Sequence, residues 1–504
     1  LNEFTQLVDL ASEQLGGAVL AANDEFFAPR GNLIKPGKPI FVEDKYTDAG
    51  KWMDGWETRR RRTPGHDWCI IRLGLPGIVR GVVVDTSFFR GNFPSHCSIE
   101  ACSADDATSV DHLSSTSCNW NEILAKSDLK GDSQNLFFVN DPRRFTHLRF
   151  NIFPDGGVAR LRVHGEVLPD WPSLLANAGA IDLASVVHGG RPLQCSDMFY
   201  SAPRNLLMPF PAANMGDGWE TKRRRGTGHD WAILKLGIPG AIERIEVDTH
   251  HFKGNYPESC SLDAYDVGES DSESLESLSW KELLPRTSLG ANQLHVFQNE
   301  LHKIPSVTHV RFNIFPDGGV SRLKLFGMPT KNGRTAAMIR CLNGLGNAGV
   351  EAALMNCCGS SAWVRDVMSR GQFAGAEQLL KAAENAFAQL KKEDWLEAFR
   401  HHPRIGEKKS DAPGSATAQK WSAKEQSGIS GANGDIMAEL SVANRDYETR
   451  FGHIFIVCAS GKSGGEMIQL LRARLNNSPD AEIKIAAEEQ RKITRLRLES
   501  LLGI

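Results

Sequence analysis

The chain has 504 residues, 41% of them hydrophobic and 24% charged, a globular composition long enough for two to four domains. Fifty-eight Lys and Arg against 61 Asp and Glu leave a net charge of −3, which argues against a nucleic-acid or membrane-surface partner despite the run Arg59–Arg62. Ten scattered cysteines without C-x-x-C spacing suit a reducing compartment, the first thirty residues lack a signal layout, and no apolar run approaches a membrane span. A soluble cytoplasmic protein is expected.

Read from the N-terminus, the strongest feature is an internal repeat. Gly55-Trp56-Glu57-Thr58-Arg59-Arg60-Arg61-Arg62-Thr63-Pro64-Gly65-His66-Asp67-Trp68 returns 163 residues later at Gly218–Trp231, with eleven of fourteen positions identical. Val84-Asp85-Thr86 and Gly91-Asn92 recur at Val247-Asp248-Thr249 and Gly254-Asn255, and Phe150–Gly157 recurs at Phe312–Gly319. Near the start, Val8–Ser12 matches Ile181–Ser185, ten residues further apart, because the first copy is longer around Lys35–Met53. Within each copy, short β-branched runs such as Val79–Asp85 end at Gly, Pro or Asn, and Leu161 and Val163 alternate with polar neighbours. Each copy therefore predicts an all-β jelly roll or sandwich, over residues 1–173 and 174–328.

If the arginine run is extended, Arg59 and Arg61 share one side and Arg60 and Arg62 the other. One side can meet structural carboxylates and the other an anionic substrate. His66-Asp67 and His229-Asp230 offer an acid or base beside a carboxylate. Asp155 and Asp317 stand in Pro-Asp-Gly-Gly turns, where a side chain caps its own backbone or is aimed into a cleft. Retention of these strings in both copies, while Ala104–Leu136 and Val267–Leu294 diverge, points to a shared functional or core-defining role.

Residues 329–336, rich in Pro, Gly and Asn, read as a linker, and 337–504 as an all-α domain. Leu379, Ala383, Phe387 and Leu390 fall on one helical face, as do Met467, Leu471 and Leu475. Before Pro403, His402 is forced from helical geometry, which predicts a helix end and an exposed imidazole. Arg497 shares a largely apolar face with Ile493 and Leu501, snorkelling or reaching into a pocket. Gly461-Lys462-Ser463 lacks the preceding glycine of a phosphate loop.

Asn23–Arg30, Gly55–Arg62, Gly65–Trp68 and Phe150–Gly157 together resemble the allantoicase family, over residues 1 to about 328. The resemblance implies hydrolysis of allantoate to ureidoglycolate and urea. Arg61 or Arg224 would clamp the carboxylate, His66 or His229 with Glu57 or Glu220 would move protons, and Asp155 and Asp317 would bind substrate. A divalent metal is compatible with that chemistry, although no dense ligand spacing indicates one.

His401–Glu407, Trp421–Gln426 and Tyr447–Gly461 resemble the family that decarboxylates 2-oxo-4-hydroxy-4-carboxy-5-ureidoimidazoline (OHCU), over about 334–504. That family is helical and cofactor-free. By resemblance, His402 is the acid/base and Glu425 its carboxylate partner. Gln426 and Arg497 would hold the substrate's polar edge, with Pro403, Ser422, Phe455, Ile456, Val457, Cys458 and Ala459 lining the pocket. Gly371-Gln372-Phe373 departs from the family's usual Arg-Pro-Phe. The expected whole is a bifunctional ureide-catabolism enzyme yielding (S)-allantoin in one step and urea in the other. The alternative is a single decarboxylase tethered to a non-catalytic β pair. Small ureides are the expected ligands, with a homo-oligomer, and with co-regulation or a complex with an allantoinase supplying the intervening step.

Overall fold

The computed structural model describes residues 3–105, 107–115, 117–176, 179–266, 279–404, 421 and 434–504. Two compact units divide the chain, Leu1–Arg334 and Thr335–Ile504. In the first copy the strands are β1 (Val8–Asp9), β2 (Ala18–Ala22), β3 (Tyr46–Thr47), β4 (Gly50–Lys51), β5 (Trp56–Glu57) and β6 (Asp67–Asp85). They continue with β7 (His96–Cys102), β8 (Asn121–Asp128), β9 (Gln134–Phe138), β10 (Arg144–Phe153), β11 (Gly157–Val158) and β12 (Arg160–Val167).

β6 organises the sandwich. Its first half pairs with β2 and β10, and β10 continues to β7 and β8; its second half pairs with β9 and β12, and β12 with β1. Every pairing is antiparallel. The change of partners falls at Gly74–Gly77, where one strand passes from one layer to the other. Alternation sets the core: Leu148, Phe150 and Ile152 on β10 are fully buried, while Arg149 and Phe153 remain half-exposed. In the second copy Asp230–Asp248 plays the part of β6, between strands equivalent to β2, β10, β12 and β9.

The 329–336 stretch is not an irregular linker. Pro329 ends a strand, and a helix, α1 (Lys331–Gly344), starts almost at once. Thr330 makes this possible, because its Oγ1 accepts the Gly333 N–H at 3.1 Å and satisfies a first-turn donor.

The described helices of the second unit continue with α2 (Gly346–Cys357), α3 (Ser361–Ser369), α4 (Ala376–Ala388), α5 (Lys392–Arg400), α6 (Gly434–Phe451), α7 (Gly464–Arg474) and α8 (Pro479–Leu502). Leu379, Ala383, Phe387 and Leu390 pack together around Trp363 and Leu498, as their spacing predicts. Met467 and Leu471 are buried against Leu440 and Tyr447, with Leu475 at the edge. Gly461-Lys462-Ser463 is a helix entrance: the Ser463 hydroxyl accepts the Glu466 N–H, and Glu466 accepts the Ser463 N–H at 2.7 Å. No described helix is long and apolar enough to cross a membrane.

Candidate active sites in the two units

The repeated strings build a frame before they build a site. Trp56 is fully buried and donates its indole N–H to the Asp24 carbonyl at 2.8 Å. Beside it, Glu57 pairs with Gly157 through the short β5–β11 ladder. Glycine at 157 lets the ladder pack this closely, because a Cβ would sit 1.9 Å from the buried Phe89 ring, which would have to shift. Glu57 Oε1 accepts the Asn92 amide at 2.6 Å. Burial pushes its carboxyl above the ordinary value, and the Asn92 hydrogen bond only partly opposes that rise. The second copy repeats the arrangement: Glu220 pairs with Gly319 and accepts from Asn255.

Glu57 and Asn92 lie in an open cleft between the apolar walls of Phe41, Met53 and Phe88 and the cations Lys51 and Arg90. Phe88 holds a left-handed φ of 70°, unusual for a bulky residue, and stacks on Phe41 at 5.6 Å. Its N–H is fixed by Asp132 Oδ1 at 2.8 Å.

The arginine run divides as alternation predicts, but the structural side is the one that includes Arg61. Arg59 Nε reaches Asp24 at 2.6 Å, and Arg61 Nη1 reaches the buried Asp67 at 2.6 Å. Arg224 makes the same pair with buried Asp230. These guanidinium groups are committed to carboxylates of the frame, so the clamp expected at Arg61 and Arg224 is not what the structure builds. Arg60 and Arg62 are exposed, and so is most of Arg59, whose side chain is 64% exposed despite its pair with Asp24; only Arg61 is half-buried. Asp155 accepts the Arg61 N–H at 2.8 Å and Asp317 that of Arg224 at 2.9 Å, so both aspartates cap the backbone of the frame.

His66 and Glu57 are not brought together. The imidazole packs on Phe153 at 4.7 Å, as His229 does on Phe315 at 4.5 Å. His66 borders a different cleft, with Glu100, Glu122, Arg149 and Asn151. There Arg149 grips Glu100 through Nε at 2.6 Å and Nη2 at 2.8 Å, and Asn151 donates to Glu100 at 3.1 Å. Arg311, Asp263 and Asn313 copy this set. Among the described residues no group of three or more His, Cys, Asp and Glu side chains could hold a metal ion.

In the helical unit α5 ends at Arg400, as His402-Pro403 predicts, but the imidazole is not exposed. Its Nε2 is buried without a hydrogen-bond partner among the described residues. Burial, and then the charge of Arg497, push His402 down to about 3, with Gln490 opposing. Arg497 is 4% exposed and donates to the Asn356 carbonyl at 3.3 Å, so it reaches inward rather than snorkelling. Beneath this turn, a Cβ on Gly359 would meet the His401 ring at 2.3 Å. Pro403 is half-buried, and Arg404 forms a two-pronged pair with Glu448 at 2.6 and 3.0 Å.

The 455–459 segment divides between two cores. Phe455, Val457 and Ala459 pack towards α6 and α7, whereas Ile456 and Cys458 face Phe399 and α8. Only the latter two turn their side chains towards the elements that carry His402 and Arg497. The Ile456 carbonyl accepts from Arg474 at 2.7 Å and the Cys458 N–H donates to Glu489 at 2.8 Å, so those backbone groups serve the fold. Ser422, Glu425 and Gln426 lie outside the described residues.

A family profile described as "Allantoicase repeat" matches residues 8–168 and 181–330. The chain belongs to the allantoicase family. A second profile, "OHCU decarboxylase", matches residues 343–499, within the helical unit. A probable allantoicase of Pseudomonas aeruginosa is 51% identical over 328 residues, 65% of this chain and 97% of the relative. The allantoicase of Dictyostelium discoideum is 48% identical over 64% of this chain and 87% of its own. The crystal structure of Saccharomyces cerevisiae allantoicase covers 65% of this chain and 96% of its own, at 36% identity and a TM-score of 0.54.

Within the allantoicase unit the residues missed from sequence are Asn92, Lys51 and Arg90 around Glu57, and Arg149, Asn151 and Glu100 around His66. Gly91-Asn92 carried a signal, since it recurs at Gly254-Asn255. So did Arg149-Phe150-Asn151, whose alternation turns two polar groups to one face. Lys51 had none, because it belongs to the segment that the second copy lacks.

Proposed function

We propose that the chain is a bifunctional ureide-catabolism enzyme: its allantoicase unit hydrolyses allantoate to ureidoglycolate and urea, and its helical unit decarboxylates OHCU to (S)-allantoin. The observation that carries the first half is Glu57, a carboxyl with a raised pKa, anchored by Asn92 in an apolar-walled cleft beside two cations. A protonated Glu57 gives its proton to the departing urea nitrogen as the central C–N bond breaks. The resulting carboxylate then takes a proton from the incoming water as its oxygen bonds to that carbon, and Glu57 returns to the acid form. Lys51 holds the substrate carboxylate, Arg90, whose Nε pairs with Asp132 at 3.1 Å, adds positive charge at the rim, and the cleft walls exclude bulk water. The second half rests on His402, a neutral imidazole close enough to the buried Arg497 to be depressed by its charge. Arg497 attracts the anionic substrate, the conjugated ring accepts the electron pair left by carbon dioxide, and His402 takes the hydroxyl proton and returns it to carbon.

A cytoplasmic setting is supported by the scattered spacing of the ten cysteines, with no C-x-x-C among them. Ring opening of allantoin lies between the two reactions, so a separate allantoinase, in complex or merely co-produced, fits the pair, and a homo-oligomer remains part of the reading. The test is one preparation of the full chain given allantoate and, separately, freshly generated OHCU. Urea release and carbon dioxide release are both expected. Carbon dioxide without urea would favour a decarboxylase tethered to a binding module.

A further inference from the structure

The two β copies share a frame but not a cleft. Between Ile34 and Trp56 the first copy has ten more residues than the second has between Leu207 and Trp219. This extra segment is ordered. β3 and β4 pair as a hairpin, Trp52 donates to the Lys45 carbonyl at 2.9 Å, and Ile40 donates to Asp54 at 3.0 Å. Arg160, 3% exposed, ties both ends down through Gly37 and Asp54. The segment contributes Phe41, Lys51 and Met53 to the walls around Glu57, with the Lys51 ammonium 4.7 Å above the Phe41 ring.

In the second copy the shorter stretch Met208–Gly218 contains no lysine or arginine. His251 stands where the first copy has Phe88, with the same left-handed backbone, φ 72°. Its Nε2 is bonded to the Ala212 carbonyl at 2.9 Å, which draws the short loop onto that position. Met215 Sδ lies 3.8 Å from the Asn255 amide that serves Glu220. The second copy keeps the Glu–Asn pair and a cation at the Arg90 position, Lys253, but it replaces Lys51 and the aromatic wall with a pinned loop.

We infer that the extra segment Lys35–Met53 makes the first copy the hydrolytic one and sets its preference for an anionic ureide, with Lys51 as the residue that binds the substrate carboxylate. This rests on the reading of Glu57 as the proton carrier. With one competent copy, loss of Glu57 removes turnover; with two, about half would survive.

Urea release is measured on the full chain, with decarboxylation by the same preparation and its melting curve as controls for folding. Glu57→Gln is expected to lose about 100-fold or more in kcat. Retention of about half the activity would overturn the inference while leaving the Glu57 chemistry standing. Unchanged activity would remove the Glu57 reading and the inference with it. Lys51→Met is expected to raise KM for allantoate by about 10-fold or more, the loss of one hydrogen bond to a charged group, with kcat nearly unchanged. Its KM for the neutral primary amide of allantoate should not move. An unchanged KM for allantoate, or an equal loss on both compounds, would refute Lys51 as the carboxylate contact.

Discussion

Arg160→Met removes a guanidinium that is 3% exposed and leaves a stem of similar size. The native group donates to Gly37 O at 3.1 Å, Asp54 O at 2.9 Å, Ala159 O at 2.7 Å and Asp54 Oδ2 at 2.7 Å. Breaking a buried pair from one side costs about 3–5 kcal/mol, mostly because the other charge stays buried. An independent bound agrees: Asp54 can escape by taking a proton, which at pH 7 costs about 4 kcal/mol for an ordinary carboxyl. Ile40 still donates to Asp54, so the expected loss is about 3–4 kcal/mol, a large part of a typical domain's stability. Guanidinium unfolding of the full chain, read at the transition that abolishes urea release, measures it. The sign with pH is diagnostic. In the native protein burial raises the Asp54 carboxyl, but Arg160 and the Ile40 N–H outweigh it and hold it below the usual range. Its stabilisation is therefore present at pH 7 and lost as pH falls through its folded pKa. Without Arg160 the carboxyl is held above its unfolded value, so the variant's deficit shrinks as pH falls from 7 towards 5. Adding Asp54→Asn should recover part of the loss. A deficit below about 1 kcal/mol, or one independent of pH, would refute the buried-pair account.

Three further outcomes follow from the geometry. His402→Gln should lower decarboxylation by about 100-fold or more. Because His402 is held down near 3, the wild-type rate should show no imidazole titration between pH 8 and 6, and a fall centred near 6.5 would count against it. Arg497→Met removes a charge that depresses His402, so the His402 ring, followed by NMR, should titrate at higher pH in the variant. Gly157→Ala puts a Cβ 1.9 Å from Phe89 and should cost about 1–3 kcal/mol, whereas Gly91→Ala, with open space around it, should stay within about 0.5 kcal/mol in the same denaturation experiment.

Much of the fold was legible because the duplication is written in polar strings as well as apolar ones. The alternation of Leu161 and Val163 with polar neighbours gave a strand, and the 3.6-residue spacing of Leu379, Ala383 and Phe387 gave a helix. β6 was not legible as one strand, since Leu73-Gly74-Leu75-Pro76-Gly77 reads as a turn; only the partners on either side show that it bends and continues. At the site, Glu57 stood out but its neighbours did not. His66 is nine positions away, yet the intervening loop turns it to another cleft, while Asn92 and Lys51 arrive from separate segments. In the helical unit His402-Pro403 foretold the end of α5 and missed the burial of the ring, which depends on Arg497 and Gln490 from a helix almost ninety residues on.

The near-identity of the two frames also bears on how the chain reaches its native state. β1 closes on β12, pairing Val8 with Gly165, so the first copy cannot complete its layer until more than 160 residues have left the ribosome. In the first copy Trp68 pairs with Asn151, and in the second Trp231 pairs with Asn313, inside the same Phe-Asn-Ile-Phe-Pro-Asp-Gly-Gly string. A strand of one copy can therefore find a matching edge in the other, the usual route to misassembly between adjacent similar domains. The segments that diverged, such as Ala104–Leu136 against its counterpart, are where correct pairings can be told from crossed ones. Sequence drift in regions far from either cleft would then protect folding yield, and making the copies more alike there should raise aggregation without altering a catalytic group.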